Sequence, residues 1–208
     1  MNTYYATATP KHPRYSLTPD KFLSEDECQH LINLLSRYLL PELITSKPLD
    51  FRDAVIISTM LETGARPTEI IRLTMADLNQ RTKSVFIRGI KNSRDRTLPL
   101  SPKLFSLLYL LAEKNAGGRI FPITSIHFGR IWKTWTPNPK KTLHCLRHTF
   151  AVNIYRHTRD ILKVKHALGH RAIANTMIYV DFMNDEDLAD IRGIATKRTK
   201  VLPRFPDK

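Results

Sequence analysis

Cysteine is scarce in this chain: two among 208 residues, Cys28 and Cys145, with no CxxC pair. That excludes a disulfide framework and a zinc ribbon, and it suits a reducing, intracellular compartment. Long apolar runs are missing as well. Stretches such as FSLLYLLA at 105–112 fall far short of the roughly 20 residues that a membrane-spanning helix needs. The opening segment MNTYYATATPKHPRYS lacks the apolar block of a secretion signal. A cytoplasmic protein with no membrane partner is therefore expected. Internal repeats and low-complexity tracts are absent too.

The shortage of acids says more. Lys and Arg total 33 against 19 Asp and Glu, for a net charge of +14. Between Asp95 and Asp160 the only acid is Glu113, in an interval that holds Arg119, Arg130, Lys140, Lys141, Arg147 and further cations. Solubility alone favours mixed signs. A long interval nearly free of acids points instead to a polyanionic partner, with nucleic acid first.

What is present reads as mainly helical. Residues 1–20, with Pro10, Pro13 and Pro19, suggest a flexible arm. Ser24 suits the N-cap of a first helix with acids in its opening turn, and a second runs from about Leu49 to Thr63, stopping at Gly64. Pro67 then opens a helix predicted through TEIIRLTMADL, with Arg66 at its N-terminus and Glu69 in its first turn. The period changes over 84–100, where alternating apolar residues flank the polar NSRD and predict a β-hairpin. Helices are expected after Ser101, around 124–135, through HCLRHTFAVNIYR, through TRDILKVKHALGH and through AIANTMIYV. A last amphipathic helix, NDEDLADIRGIA, carries Leu188, Ile191 and Ile194 as its stripe, ahead of a basic tail. The expected fold is α+β, mainly helical, with a small antiparallel sheet: an arm at 1–20, one domain at 21–182, and a helix with tail at 183–208.

The segment HCLRH, residues 144–148, places two histidines four apart on a predicted helix. That spacing can hold zinc, but zinc needs a third ligand and usually a carboxylate base. No acid stands nearby, and Arg147 would oppose the metal. An anion clamp fits better, because arginine offers planar paired donors to phosphate oxygens and histidine adds another. Taken alone, these histidines read better as ordinary capping or surface residues.

They do not stand alone. TGARPTEI holds Arg66, the hairpin holds Lys91, ALGH holds His170, and nine residues further MIYV holds Tyr179. In this order, with HCLRH, the set resembles the tyrosine recombinase (phage integrase) family from about residue 20 to residue 182. The resemblance implies a catalytic domain of the fold shared with type IB topoisomerases. Arg66 and Arg147 become the paired arginines, His144 the histidine of the HxxR motif, and His170 the further donor. Tyr179 becomes the nucleophile that forms a 3′-phosphotyrosine, and Lys91 the residue that protonates the leaving 5′-oxygen. Glu69 and His148 are supporting residues. Arg88, Arg94, Arg96, Lys140 and Lys141 are candidates for DNA contact.

The chemistry of the residues agrees with these roles. A phenolate both attacks and leaves, so it can store the phosphodiester energy in a covalent bond, and with a phenol pKa of about 10 it needs nearby cations. Phosphoryl transfer rests mainly on positioning and on neutralising the non-bridging oxygens. No metal and no other cofactor is implied. The implied activity is site-specific recombination of double-stranded DNA. The protein is expected as a solution monomer that assembles into a homotetramer on paired sites, with accessory DNA-bending or directionality proteins as further partners. Most relatives carry a separate core-binding domain before the catalytic one, and here only the short arm precedes the pattern; such brevity is similar to short recombinases that switch fimbrial expression, with a truncated chain as the alternative. A topoisomerase and a non-cutting DNA-binding regulator of the same fold are the alternatives.

Overall fold

The computed structural model describes residues 17–90, 93–115 and 117–180. Helices are α1 (Glu25–Ser36), α2 (Leu43–Ser46), α3 (Pro48–Thr63), α4 (Pro67–Ile70), α5 (Pro102–Lys114), α6 (Ser125–Trp135), α7 (His144–Thr158) and α8 (Ile161–Leu168). Strands are β1 (Leu78–Asn79), β2 (Ser84–Ile87) and β3 (Arg96–Pro99). They form one antiparallel sheet in the order β1-β2-β3, with Val85 opposite Leu98 and Ile87 opposite Arg96. The fold class is the expected one, mostly helical with a small sheet.

Helix α3 organises the main core. Phe51, Ala54, Val55, Ile56, Ile57 and Met60 face more than one side of it, and all are fully buried. A helix apolar on several sides must be surrounded. Here α1, α2, α5 and α7 pack around it. Gly64 ends it in the left-handed region at φ 56°, and a Cβ there would stand 2.2 Å from Cδ1 of Phe150 on α7. Both the turn and the close approach therefore require glycine. At the other end of the sequence pattern, α1 starts as expected: Ser24 accepts from the Glu27 N–H, and the Glu27 carboxylate accepts from the Ser24 N–H.

Three expectations need correction. The helix opened by Pro67 lasts one turn, not eleven residues, because Thr74 starts a competing structure. Its N–H and hydroxyl both donate to Asp77 at 2.9 Å, capping a 3₁₀ turn at Met75–Asp77, while the Leu73 carbonyl is taken by the Ile120 N–H. Threonine and aspartate compete for backbone in just this way. The chain then enters β1, an edge strand not foreseen.

AIANTMIYV, predicted as a helix, is instead two 3₁₀ turns, Ile173–Asn175 and Met177–Tyr179, hinged at the fully buried Thr176. Finally, the expected arm is anchored at its described end. Leu17 is buried, and Pro19–Lys21 form a 3₁₀ turn. Leu17 and Phe22 join Ala151, Val152, Val164, Leu168 and Tyr179 in a second, smaller core. The amphipathic helix expected beyond residue 182 lies outside the described residues, as does the arm before Leu17.

Candidate active site

The residues singled out for chemistry sit at the ends of elements, where backbone groups are unsatisfied. Arg66 is the extended N-cap of α4, and its own N–H donates to Glu69 at 2.8 Å. The Arg66 side chain, one-third exposed, also reaches Glu69 at 3.4 Å. The Glu69 carboxylate is fully buried and accepts from Arg96 of β3 at 2.9 Å. Burial pushes its carboxyl up, but the Arg96 hydrogen bond and charge, the Arg66 N–H and Arg147 outweigh it and hold it below the usual range. One anion thus fixes two arginines from distant parts of the chain.

Arg147, in the first turns of α7, is 4% exposed. Its guanidinium donates to the carbonyl of Gly64 at the end of α3, and at 2.9 Å to that of Leu168 at the end of α8. Two helix C-termini, each carrying partial negative charge, converge on one buried cation. Burial and the charges of Arg66 and Arg96 depress its pKa, while Glu69 and Tyr179 oppose them. An arginine stays protonated throughout the accessible range.

The same guanidinium meets Nε2 of His170 at 3.0 Å. Nε2 must accept that bond, so the ring hydrogen is on Nδ1, which donates to Thr176 Oγ1 at 3.0 Å. Burial, Arg147, Arg66 and Arg96 push His170 down to about 4. Both nitrogens are committed, and His170 becomes a donor to a bound anion only when it gains a proton, or when Arg147 re-aims and the ring hydrogen moves to Nε2. A phosphate between the arginines would favour both changes. Thr176 was not foreseen as part of the site; a buried hydroxyl six residues from its partner leaves no periodic signal.

His144 lies exposed at the start of α7, its imidazole held below the ordinary value by partial desolvation, Arg147 and Arg66. One turn on, His148 is half-buried, and its Nδ1 stands 3.0 Å from Oη of Tyr179. Burial, His144, Arg147 and Lys21 push His148 down to about 4. Tyr179 is 1% exposed, its ring seated in the second core. The structure therefore gathers three groups, Glu69 with Arg66 and Arg96, Arg147 with His170, and His148 with Tyr179, with His144 one turn before His148 on α7. Lys91 lies outside the described residues. The chain re-enters at Ser93, which bridges His170, and at Arg94, whose N–H donates to the Gly169 carbonyl at 2.8 Å.

The candidates for DNA contact divide. Arg94 and Lys140 are exposed. Arg88 is half-exposed, although its Nη1 is 2.6 Å from buried Asp77. Arg96 and Lys141 turn inward, which corrects their assignment. Arg96 is held by Glu69, and its Nε and Nη1 meet no acceptor among the described residues. Lys141 is paired with Glu27 at 2.6 Å and donates to the Phe22 carbonyl, fastening the chain before α1 to the loop before α7. No group of three His, Cys, Asp or Glu that could hold a metal occurs among the described residues.

The two depressed histidines make stability depend on pH. Both have an ordinary value of 6.5 and fall to about 4 in the folded protein. Between those values the unfolded chain binds more protons, so stability rises with pH across the window and is lost as pH falls through it. Thermal melting should drop from about pH 7 to about pH 5, above the ordinary carboxylate range. A His148→Gln/His170→Asn double variant should show a flatter dependence; an unchanged slope would assign the effect to other groups.

Paired arginines, histidines and a tyrosine gathered on a mainly helical scaffold define a class of site that holds an oxyanion beside a phenol. The chain belongs to the phage integrase family, whose pattern matches residues 21–186. Among curated proteins it is similar to tyrosine recombinase XerA of Pyrococcus furiosus, 26% identical over 188 residues, covering 81% of this chain and 60% of that one. It therefore spans about three-fifths of that relative's length. The catalytic domain of bacteriophage HP1 integrase is 27% identical, with a TM-score of 0.58, covering 83% of this chain and 94% of that one. A post-cleavage complex of XerH site-specific recombinase with palindromic difH substrate shares the fold at TM-score 0.66 and 21% identity, covering 86% of this chain and 54% of that one.

Proposed function

We propose that the chain is a site-specific DNA recombinase that cleaves and rejoins strands of double-stranded DNA through a 3′-phosphotyrosine at Tyr179. The carrying observation is the pair of contacts: Arg147 hydrogen-bonded to His170, and Tyr179 hydrogen-bonded to His148, the residue that follows this arginine on α7. Arg66 and Arg147 bind the non-bridging oxygens of the scissile phosphate, and His144 and His170 add donors. Lys91 delivers a proton to the departing 5′-oxygen. Glu69 and Arg96 fix the arginine geometry, so positioning and charge neutralisation supply most of the rate. The protein assembles as a homotetramer on paired sites. Exposed Arg94 and Lys140 serve the phosphate backbone, and such binding weakens steeply with salt.

Covalent trapping tests this reading. The chain is incubated with a nicked-DNA library in chelator, denatured, and the attached DNA is sequenced. Adduct with a sharp sequence consensus is the expected result. A loose consensus would favour topoisomerase action, and loss of adduct in chelator would bring a metal back into consideration.

A further inference from the structure

The peptide joining Ser93 to Arg94 stands where two glycines leave no room for a side chain. Gly169 ends α8 at φ 70°, and a Cβ there would lie 2.7 Å from the Arg94 carbonyl oxygen and 2.8 Å from Ser93 Oγ. A helix end of this hand accounts for the φ of Gly169 but not for so close an approach. Gly89, just past β2, has no positive φ to require glycine. A Cβ on it would run into the Ser93 carbonyl, and its N–H donates to Asp95 at 2.7 Å. Closeness alone explains this glycine.

The same peptide is tied to the turn that carries His170. The Arg94 N–H donates to the Gly169 carbonyl at 2.8 Å, and Ser93 Oγ donates to the same oxygen at 3.3 Å. Ser93 also pairs with His170 in an isolated antiparallel bridge, and it is buried. One residue back, the Leu168 carbonyl accepts from Arg147. The backbone leading into His170 is therefore held twice, by Arg147 and by the returning strand of the hairpin.

We infer that the Ser93–Arg94 peptide is a wedge that positions His170: seated against Gly89 and Gly169, it fixes the backbone from which the imidazole meets Arg147. The inference rests on the cleavage reading above, in which His170 serves the scissile phosphate. Ser93, Gly89 and Gly169 are positioning residues that act through His170. Its two ring bonds, to Arg147 and to Thr176, are each 3.0 Å long. A shift of the backbone by about 1 Å along either one takes it out of hydrogen-bond range. Misplacement on that scale can cost about 10²-fold in rate.

The test reads His170 separately from the rest of the fold. Imidazole titration by NMR follows His170 and His148, both held at about 4 in the wild type, His170 by burial and by Arg147, Arg66 and Arg96. In Gly89→Ala, and to a smaller degree in Ser93→Ala, His170 should rise toward its ordinary 6.5 while His148 stays at about 4. Single-turnover adduct formation should fall about 10²-fold in Gly89→Ala. In a His170→Ala background the same substitution should cost nothing further, because both changes remove one interaction. An unshifted His170, or rate losses that add, would overturn the positioning role. A rise of both histidines would show that the wedge holds the fold at large, and would overturn it too. Absence of adduct from the wild type would overturn the cleavage reading, while a shift of His170 alone would still uphold the wedge.

Discussion

Tyr179→Phe is expected to bind DNA as the wild type does, to fold nearly as stably, and to form no adduct. The ring is 1% exposed and packs with Val152, Val164 and Leu168, and phenylalanine keeps all of that packing. What disappears is the hydroxyl and its 3.0 Å bond to His148. A net hydrogen bond of this kind contributes about 0.5–1.5 kcal/mol. The proposed chemistry loses its nucleophile altogether, and the other described tyrosines are engaged elsewhere: Tyr38 packs edge-on to Trp135, Tyr109 stacks on Phe105, and Tyr155 packs against the second core. Denaturant melting, salt-dependent DNA binding and covalent trapping on one preparation separate the three quantities. Adduct from this variant would place the nucleophile elsewhere; a large loss of stability would mean that the His148–Tyr179 bond anchors the 3₁₀ turn.

How far such features could be read from residues depends on what each one needs. Ser24 and Glu27 form their capping box as local rules require, and Gly64 ends α3 where the apolar period stops. These are decided within a few residues. The one-turn α4 was beyond reach because Thr74, Asp77 and Ile120 decide it jointly, and Ile120 is far away in sequence. The direction of a cation was equally hidden. Lys140 and Lys141 are neighbours in sequence, yet one is exposed and the other is paired with Glu27. Arg94 and Arg96 share one face of a short segment by period, and still only Arg96 is buried on Glu69. Order and spacing located Tyr179, but not the 3₁₀ turns or the Thr176 hydroxyl that hold its surroundings.

Arg147 and Arg66 make the second large prediction, because the same proposed role at the phosphate rests on different supports. Arg147→Lys should lower the rate of adduct formation by about 10²–10³-fold, since an ammonium cannot reproduce a planar fork aimed at several acceptors. It should also destabilise the protein. The wild-type guanidinium serves the Gly64 and Leu168 carbonyls together with His170, and a lysine reaches at most part of that set. A buried acceptor left unpaired costs about 1–3 kcal/mol. Arg66→Lys should lose rate on a similar scale with little change in stability. Its side chain is one-third exposed, and its backbone N–H keeps the Glu69 bond whatever the side chain. Single-turnover cleavage and denaturant melting of the two variants give the comparison. Equal stability losses would mean that Arg66 is as structural as Arg147. A wild-type rate in Arg147→Lys would mean that a point charge suffices at the phosphate and that the convergence of two helix ends on Arg147 serves the fold alone.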